Sequence, residues 1–415
     1  MRSRFQGSVA VWFFGLLFGF APFVVAAEWP QYRGPDGDGI TSEQVSPWTT
    51  QTLKQLWKIP VGEAFGSFAV ADGRGYYFAN RNGVEVCHAV DVSSGKELWS
   101  ADIGRTIYEN EGGNGPRTTP AVSDGRVCVM STYCKLVCLD ASSGKPVWSH
   151  DLVHEFGGKL PNAISKWGNA TSPLIEKGKV IVAGGGNDQS LLAFDIKDGH
   201  VLWKTGSESI THASPTPATI LGARQVIFYT TSGLVSIDPD NGRWLWHAHV
   251  KFSVATAASP VVEGDIVYCS SGYGVGAIAF KIQKSGDAFS ATQLWKTPGK
   301  LVNLWSTPIA YQGHLYGLYG FKEFNTMPLK CIDVKTGKEI WSHEGFGQGG
   351  LILAGGNLLL QGDQGELVLV KADPSGYHEL ARAQPLAGKC WQMPIVAEGK
   401  IITRSTKEAV CLQAQ

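Results

Sequence analysis

The chain has 415 residues, 43% of them hydrophobic and only 17% charged, with 51 Gly, 20 Pro and 14 Trp. So much apolar material among so many turn formers excludes a disordered chain and a coiled coil, and it favours many short strands over long helices. Lys plus Arg and Asp plus Glu both total 36, so no net charge draws the protein to nucleic acid or to an anionic membrane.

The chain opens with Arg2 and Arg4, continues through an uncharged apolar run at 9–25 that contains Pro22, and reaches Val25-Ala26-Ala27 before Glu28. A basic start, an apolar middle and small residues before the cut are what a secretory signal peptidase reads. Residues 1–27 are therefore expected to be a Sec-type signal peptide, cleaved after Ala27, that sends the chain to the periplasm or outside the cell. The 17 apolar residues are near the lower limit for spanning a bilayer, so an uncleaved anchor is the alternative. Residues 28–52 read as an extended segment, and 53–415 as one repetitive domain.

Within that domain one segment recurs: AVDVSSGKELW ending at Trp99, CLDASSGKPVW at Trp148, AFDIKDGHVLW at Trp203, SIDPDNGRWLW at Trp246 and CIDVKTGKEIW at Trp341. Asp precedes Gly by four residues and Gly precedes Trp by four in every copy. The Asp side chain can cap a turn, the Gly supplies the positive φ the turn needs, and the Trp lands on the next strand as an apolar plug. A Ser/Thr-Pro pair recurs upstream, at Thr119-Pro120, Ser172-Pro173, Thr216-Pro217, Ser259-Pro260 and Thr307-Pro308, and opens a strand. Two further β-rich runs lie between these landmarks, so each unit is a four-stranded antiparallel meander. Units of roughly 40 to 45 residues built this way are propeller blades.

Degenerate units complete the count. One closes at Leu294-Trp295 with Lys281 in place of the Asp, and the next but one puts Leu380 at the Trp position. The last starts at Met393-Pro394 and stops one strand short at Cys411-Leu412, while Leu53-Lys-Gln-Leu-Trp57 resembles a closing strand with no opening strand before it. The fold expected is an all-β, eight-bladed propeller closed by the N-terminal strand, with Trp57, Trp99, Trp148, Trp203, Trp246, Trp295 and Trp341 docked between blades. Seven blades remain the alternative if the weak unit after Trp341 is an insertion.

The Ala-x-Asp-x-x-Thr-Gly-x-x-x-Trp pattern resembles the tryptophan-docking motif of the pyrroloquinoline-quinone (PQQ) repeat, shared by quinoprotein alcohol dehydrogenases and the BamB outer-membrane assembly lipoproteins. Trp29-Pro-Gln-Tyr-Arg-Gly-Pro35 is similar to the start of secreted planctomycete-type members. The resemblance runs from Trp57 to the C-terminus. It implies the propeller fold, and it admits either a binding scaffold or a dehydrogenase holding PQQ and calcium. Quinone-binding members use two adjacent cysteines, whereas none of the eight cysteines here is next to another.

Loops between blades crowd one mouth of a propeller channel, where ligands usually sit. Residues just before the strand-opening positions give Asn114, Arg117, Trp167, Asn169, His212, Asn303, Trp305, Trp391 and Gln392 as a ring of aromatic faces and amides. Such a ring suits a sugar, a peptide or a planar cofactor; the alternative is that the indoles fill the channel and the amides hold loops. Glu63, Glu109 and Glu111 are the carboxylates near enough to serve calcium. His154-Glu155 lacks the second histidine of a zinc-protease helix, Gly272-x-Gly274-x-Gly276 precedes no helix, and Asp238, Asp240 and Asn241 belong to a repeat turn. Cys128 and Cys138 are placed to face each other across a hairpin centred on Tyr133, and a disulfide there is the one bridge worth testing. The function expected is an exported, non-catalytic, monomeric scaffold for a protein or glycan at the cell envelope. A short PQQ- and calcium-dependent oxidoreductase is the alternative, ahead of a polysaccharide-active enzyme.

Overall fold

A computed structural model describes residues 27–49, 53–108, 112–159, 167–321 and 326–414. The expected signal peptide, apart from Ala27, lies outside them. Eight radial sheets form the molecule, and each is an antiparallel meander running from the channel outward. The first blade consists of Ala69–Ala71, Arg74–Arg81, Val84–Asp91 and Glu97–Arg105. The eighth consists of Ile395–Ala397, Lys400–Arg404 and Glu408–Gln413, and its outer strand is the N-terminal Gln55–Pro60, with Trp57 opposite Cys411. Fusing both ends of the chain into one sheet removes the open edge that an unclosed propeller would expose. The closure is reinforced by the fully buried Arg404, which donates to Phe78 O at 3.2 Å and Gly62 O at 2.6 Å across the seam.

The recurring motif is the joint between blades. Asp91 accepts Ser94 N–H through Oδ1 at 2.8 Å, while Gly95 N–H closes the turn on Asp91 O at 2.8 Å. Gly95 has φ +73°, and a Cβ there would lie 2.8 Å from the Trp57 ring of the preceding blade. The same face-on approach joins Gly144 to Trp99, Gly199 to Trp148, Gly242 to Trp203 and Gly337 to Trp295. Glycine is thus required both by the positive φ and by the indole lying against it. Each of these indoles also donates Nε1–H to a carbonyl of that turn, as Trp57 does to Val92 O at 2.8 Å and Trp148 to Ile196 O at 3.0 Å. The small-residue position of the repeat serves the same carbonyl, since the Cys138 thiol donates to Ile196 O and the Cys411 thiol to Val92 O.

Two irregular joints have physical reasons. Trp246 donates instead to Gln225 Oε1 at 2.7 Å within its own blade, because the fifth blade replaces the Asp turn with a long hairpin, Gly276–Ser285 and Ala288–Thr297. Leu380 takes the Trp position in the seventh blade because the eighth has no turn to dock on, its outer pair of strands being the two separate ends of the chain.

Residues 28–48, expected to be merely extended, thread the inner edge of the ring. Trp29 exchanges two backbone bonds with Val70, Pro30 O accepts Val122 N–H at 2.8 Å, and Gln31 Oε1 accepts Ile175 N–H at 2.9 Å. Arg33, fully buried and without a carboxylate partner in these bonds, donates to the carbonyls of Gly37, Asp38, Thr307 and Pro308. Burial lowers its pKa, so the carbonyl cage must hold the charge. Ile40–Thr41 then adds a parallel strand to the seventh blade at Leu353 and Ala354, and Ser46 N–H bonds Ala414 O. Innermost strands leave unpaired backbone groups facing the channel, and this segment satisfies them.

Candidate functional site

The channel is not open from end to end. Tyr32, carried by the plugging segment, places its hydroxyl 3.2 Å from Thr307 Oγ1. It lines a cavity of about 430 Å³ on the side of the blade-to-blade loops.

One wall is aromatic. The Trp305 and Trp391 rings lie 4.7 Å apart at 34°, and Phe65 is 5.2 Å from Trp391. Trp167 stands edge-on to His212, with centroids 6.0 Å apart, and both line the cavity. Two cations lie against these faces: Lys389 Nζ is 4.2 Å from the Trp391 ring and donates to Gly112 O, while Arg117, which lines the cavity, lies over Phe65 and donates to Gly113 O and Gly115 O. Burial first, and then the nearby Arg117 charge, pushes the His212 pKa down to about 4, so the imidazole is neutral at pH 7.

The cavity also carries a belt of hydroxyls from the residues just before successive inner strands. Ser67 N–H donates to Thr119 Oγ1 at 3.0 Å, Thr119 N–H to Ser172 Oγ at 3.0 Å and Ser172 N–H to Ser214 Oγ at 2.9 Å. Ser259 N–H donates likewise to Thr307 Oγ1 at 2.9 Å. The Ser/Thr-Pro element therefore does more than open a strand, because its side chain caps the backbone of a neighbouring blade. In the fourth blade Ser214-Pro215 holds this place, not the Thr216-Pro217 read from the sequence; Thr216 already belongs to the strand Thr216–Ile220.

Of the nine residues proposed for the mouth, the cavity is lined by Arg117, Trp167, His212, Trp305, Trp391 and Gln392. Asn169 is buried behind it, donating to Ser131 O and Thr171 O and accepting Thr171 N–H. Asn303 likewise holds loops, donating to Leu318 O at 2.7 Å and accepting the Tyr268 hydroxyl at 2.6 Å. Asn114 lies outside the cavity and donates to Glu63 Oε2 at 3.1 Å. Glu109 and Glu111 fall outside the described residues. Sequence reasoning passed over Tyr32, Phe65, Tyr273 and the hydroxyl belt; the regular recurrence of Ser/Thr before Pro was the available signal for the last.

A buried carboxylate adjoins the site without lining it. Glu85 accepts Thr132 N–H at 3.1 Å and the Thr132 hydroxyl, and burial raises its pKa to about 7. Cys128 and Cys138 are directly opposed across their hairpin, and both are buried thiols. The short helix Leu152–Phe156 carries His154-Glu155, where Glu155 bonds His150 and His154 bonds the Asp151 cap.

A family model described as outer membrane protein assembly factor BamB matches residues 82–316, more than half of the chain. The chain belongs to that family. The BamB of Moranella endobia is 23% identical over 268 residues, an alignment covering 60% of this chain and 62% of that protein. The 1-butanol dehydrogenase (cytochrome c) of Thauera butanivorans is 30% identical over 171 residues, covering 40% of this chain and only 23% of the dehydrogenase. Among solved structures, BamB from Moraxella catarrhalis superposes with a TM-score of 0.61 at 17% identity, over 87% of this chain and 97% of that one. The quinohemoprotein alcohol dehydrogenase from Comamonas testosteroni gives 0.64 at 14% identity, over 93% and 80%. At such identities the structural likeness is one of fold.

The cavity can be tested against the group the dehydrogenases suggest. Calcium takes six to eight oxygen ligands, largely carboxylates and carbonyls. The described lining residues supply hydroxyls, one guanidinium, one imidazole, the Gln392 carboxamide, whose oxygen already accepts Trp391 N–H, and no carboxylate. They do not fit a calcium ion.

Proposed function

We propose that the protein is an exported, non-catalytic binding propeller of the cell envelope, which engages a protein or glycan through the mouth that its N-terminal segment leaves open. The observation that carries this reading is the cavity itself: aromatic faces, an anchored guanidinium, a neutral histidine and a belt of hydroxyls, a lining suited to holding a ligand in place. The BamB likeness supports an envelope setting, as does the basic and apolar N-terminus, and no helix among the described residues is long and apolar enough to cross a membrane.

The likeness to quinone-linked dehydrogenases favours a second reading, in which the same cavity seats PQQ with calcium. The donor set speaks against it. Thermal unfolding of the purified protein with and without PQQ and calcium, together with dye reduction on alcohols and sugars, separates the two. Binding without redox turnover is expected, whereas a large stabilisation by PQQ accompanied by turnover overturns the proposal.

A further inference from the structure

Three buried hydroxyls in the cavity have hydrogen-bonding capacity that the protein does not use. Thr119, Ser172 and Ser214, each at most 4% exposed, spend an oxygen lone pair on a backbone N–H. Among the described residues none of these three O–H groups donates to a protein acceptor. The Ser306 hydroxyl beside Trp305 also lacks a partner, but its oxygen is sealed from the cavity. Thr119, Ser172 and Ser214 line the same space. Buried polar groups are normally satisfied, so such a cluster calls for an occupant rich in acceptor oxygens.

The aromatic lining restricts that occupant further. Trp305 and Trp391 pack on each other with centroids 4.7 Å apart, too close to hold a ring between them, so an occupant meets the pair from one side, as the C–H face of a sugar can. An extended peptide adding to the inner strands is disfavoured, because the backbone N–H groups of Ser67, Thr119 and Ser172 are already capped by the belt. The cations are anchored to glycine carbonyls, His212 is neutral and no carboxylate is present in the described lining, so nothing there demands a charged ligand.

Building on the binding reading above, we propose that the cavity holds a single neutral pyranose, the end sugar or one repeat unit of a glycan. Its C–H face rests on Trp305 and Trp391, and its ring and hydroxyl oxygens accept from Thr119, Ser172 and Ser214. The volume of about 430 Å³ accommodates one such ring with part of a second.

The test is titration calorimetry with saturation-transfer NMR on the full chain, using glucose, galactose, N-acetylglucosamine and their disaccharides, with glucuronic acid and PQQ plus calcium as further arms. One-to-one binding of a neutral sugar is expected. Trp305→Ala should weaken it at least tenfold. Ser214→Ala removes one of the three donors and should weaken it by roughly 2- to 10-fold; because it also leaves the Ser172 N–H without its acceptor, its unfolding midpoint is measured alongside, and Ser306→Ala, whose hydroxyl is sealed from the cavity, should leave binding unchanged. Silence across the neutral sugars at millimolar concentration, preference for glucuronic acid, or indifference to both Trp305→Ala and Ser214→Ala overturns the sugar proposal and leaves the binding-propeller reading standing. Redox turnover with PQQ overturns that reading as well.

Discussion

Glu85 and His212 should give the protein's stability two pH slopes of opposite sign. The Glu85 carboxyl moves from an ordinary 4.5 to about 7 on folding, because its desolvation outweighs the two bonds from Thr132. Between those values the unfolded chain has lost a proton that the native state keeps, so stability falls as pH rises, and the cost is complete above pH 7. His212 moves from 6.5 to about 4, so the unfolded chain holds the extra proton and stability falls as pH drops through that window. At 1.36 kcal/mol per pH unit each effect amounts to about 3 kcal/mol, and the two offset each other between about pH 4.5 and 6.5. Glu85→Gln keeps one acceptor for Thr132 and removes the carboxylate. Relative to the parent it should be close to neutral at pH 4.5 and more stable by about 2 to 3 kcal/mol at pH 8. His212→Gln should show its relative gain at pH 4 and none at pH 8. Chemical denaturation of parent and variants at pH 4, 4.5, 6 and 8 measures these differences, in which all other titrating groups cancel. A Glu85→Gln difference that does not change between pH 4.5 and 8 would refute the claim that this carboxyl is held protonated by burial.

The remaining predictions concern the joints and the plug. Gly199→Ala should cost about 1 to 3 kcal/mol more than Gly222→Ala, since both have a positive φ but only Gly199 lies against an indole, with its Cβ position 2.6 Å from Trp148; equal losses in denaturant titrations would remove the indole contact from the account. Leu380→Trp should change stability by less than about 0.5 kcal/mol, because no docking turn faces it; a clear gain would mean that a dock exists. Arg33→Met should destabilise by about 3 kcal/mol by leaving buried carbonyls unsatisfied, and limited proteolysis should then cut within residues 28–48. A resistant N-terminus would show that this arginine does not hold the plug.

The architecture was legible because its information is periodic. Asp91, Gly95 and Trp99 recur at fixed spacing since most blades present a turn to one neighbour and an indole to the other, and the unmatched strand at Leu53–Trp57 betrayed the closure. What escaped was not periodic. Trp29-Pro-Gln-Tyr-Arg-Gly-Pro35 occurs once, and its role as a channel plug depends on edges that exist only after the ring closes. Asn169 and Asn303 were placed at the mouth from their offset to a strand start, yet an amide near a loop can satisfy backbone groups as readily as a ligand. In the fourth blade the doubled Ser214-Pro215-Thr216-Pro217 offered two registers, and only the bond from Ser172 N–H to Ser214 selects one. The hydroxyl belt was visible as a pattern, but which groups keep a spare donor depends on inter-blade distances.

The most direct measurement is the electron density in the cavity of crystals grown with calcium, PQQ and the preferred neutral sugar together. The account predicts a pyranose ring against Trp305 and Trp391, its oxygens within hydrogen-bond distance of Ser172 and Ser214, and no bound ion. A quinone lying in that space with a coordinated calcium would contradict it.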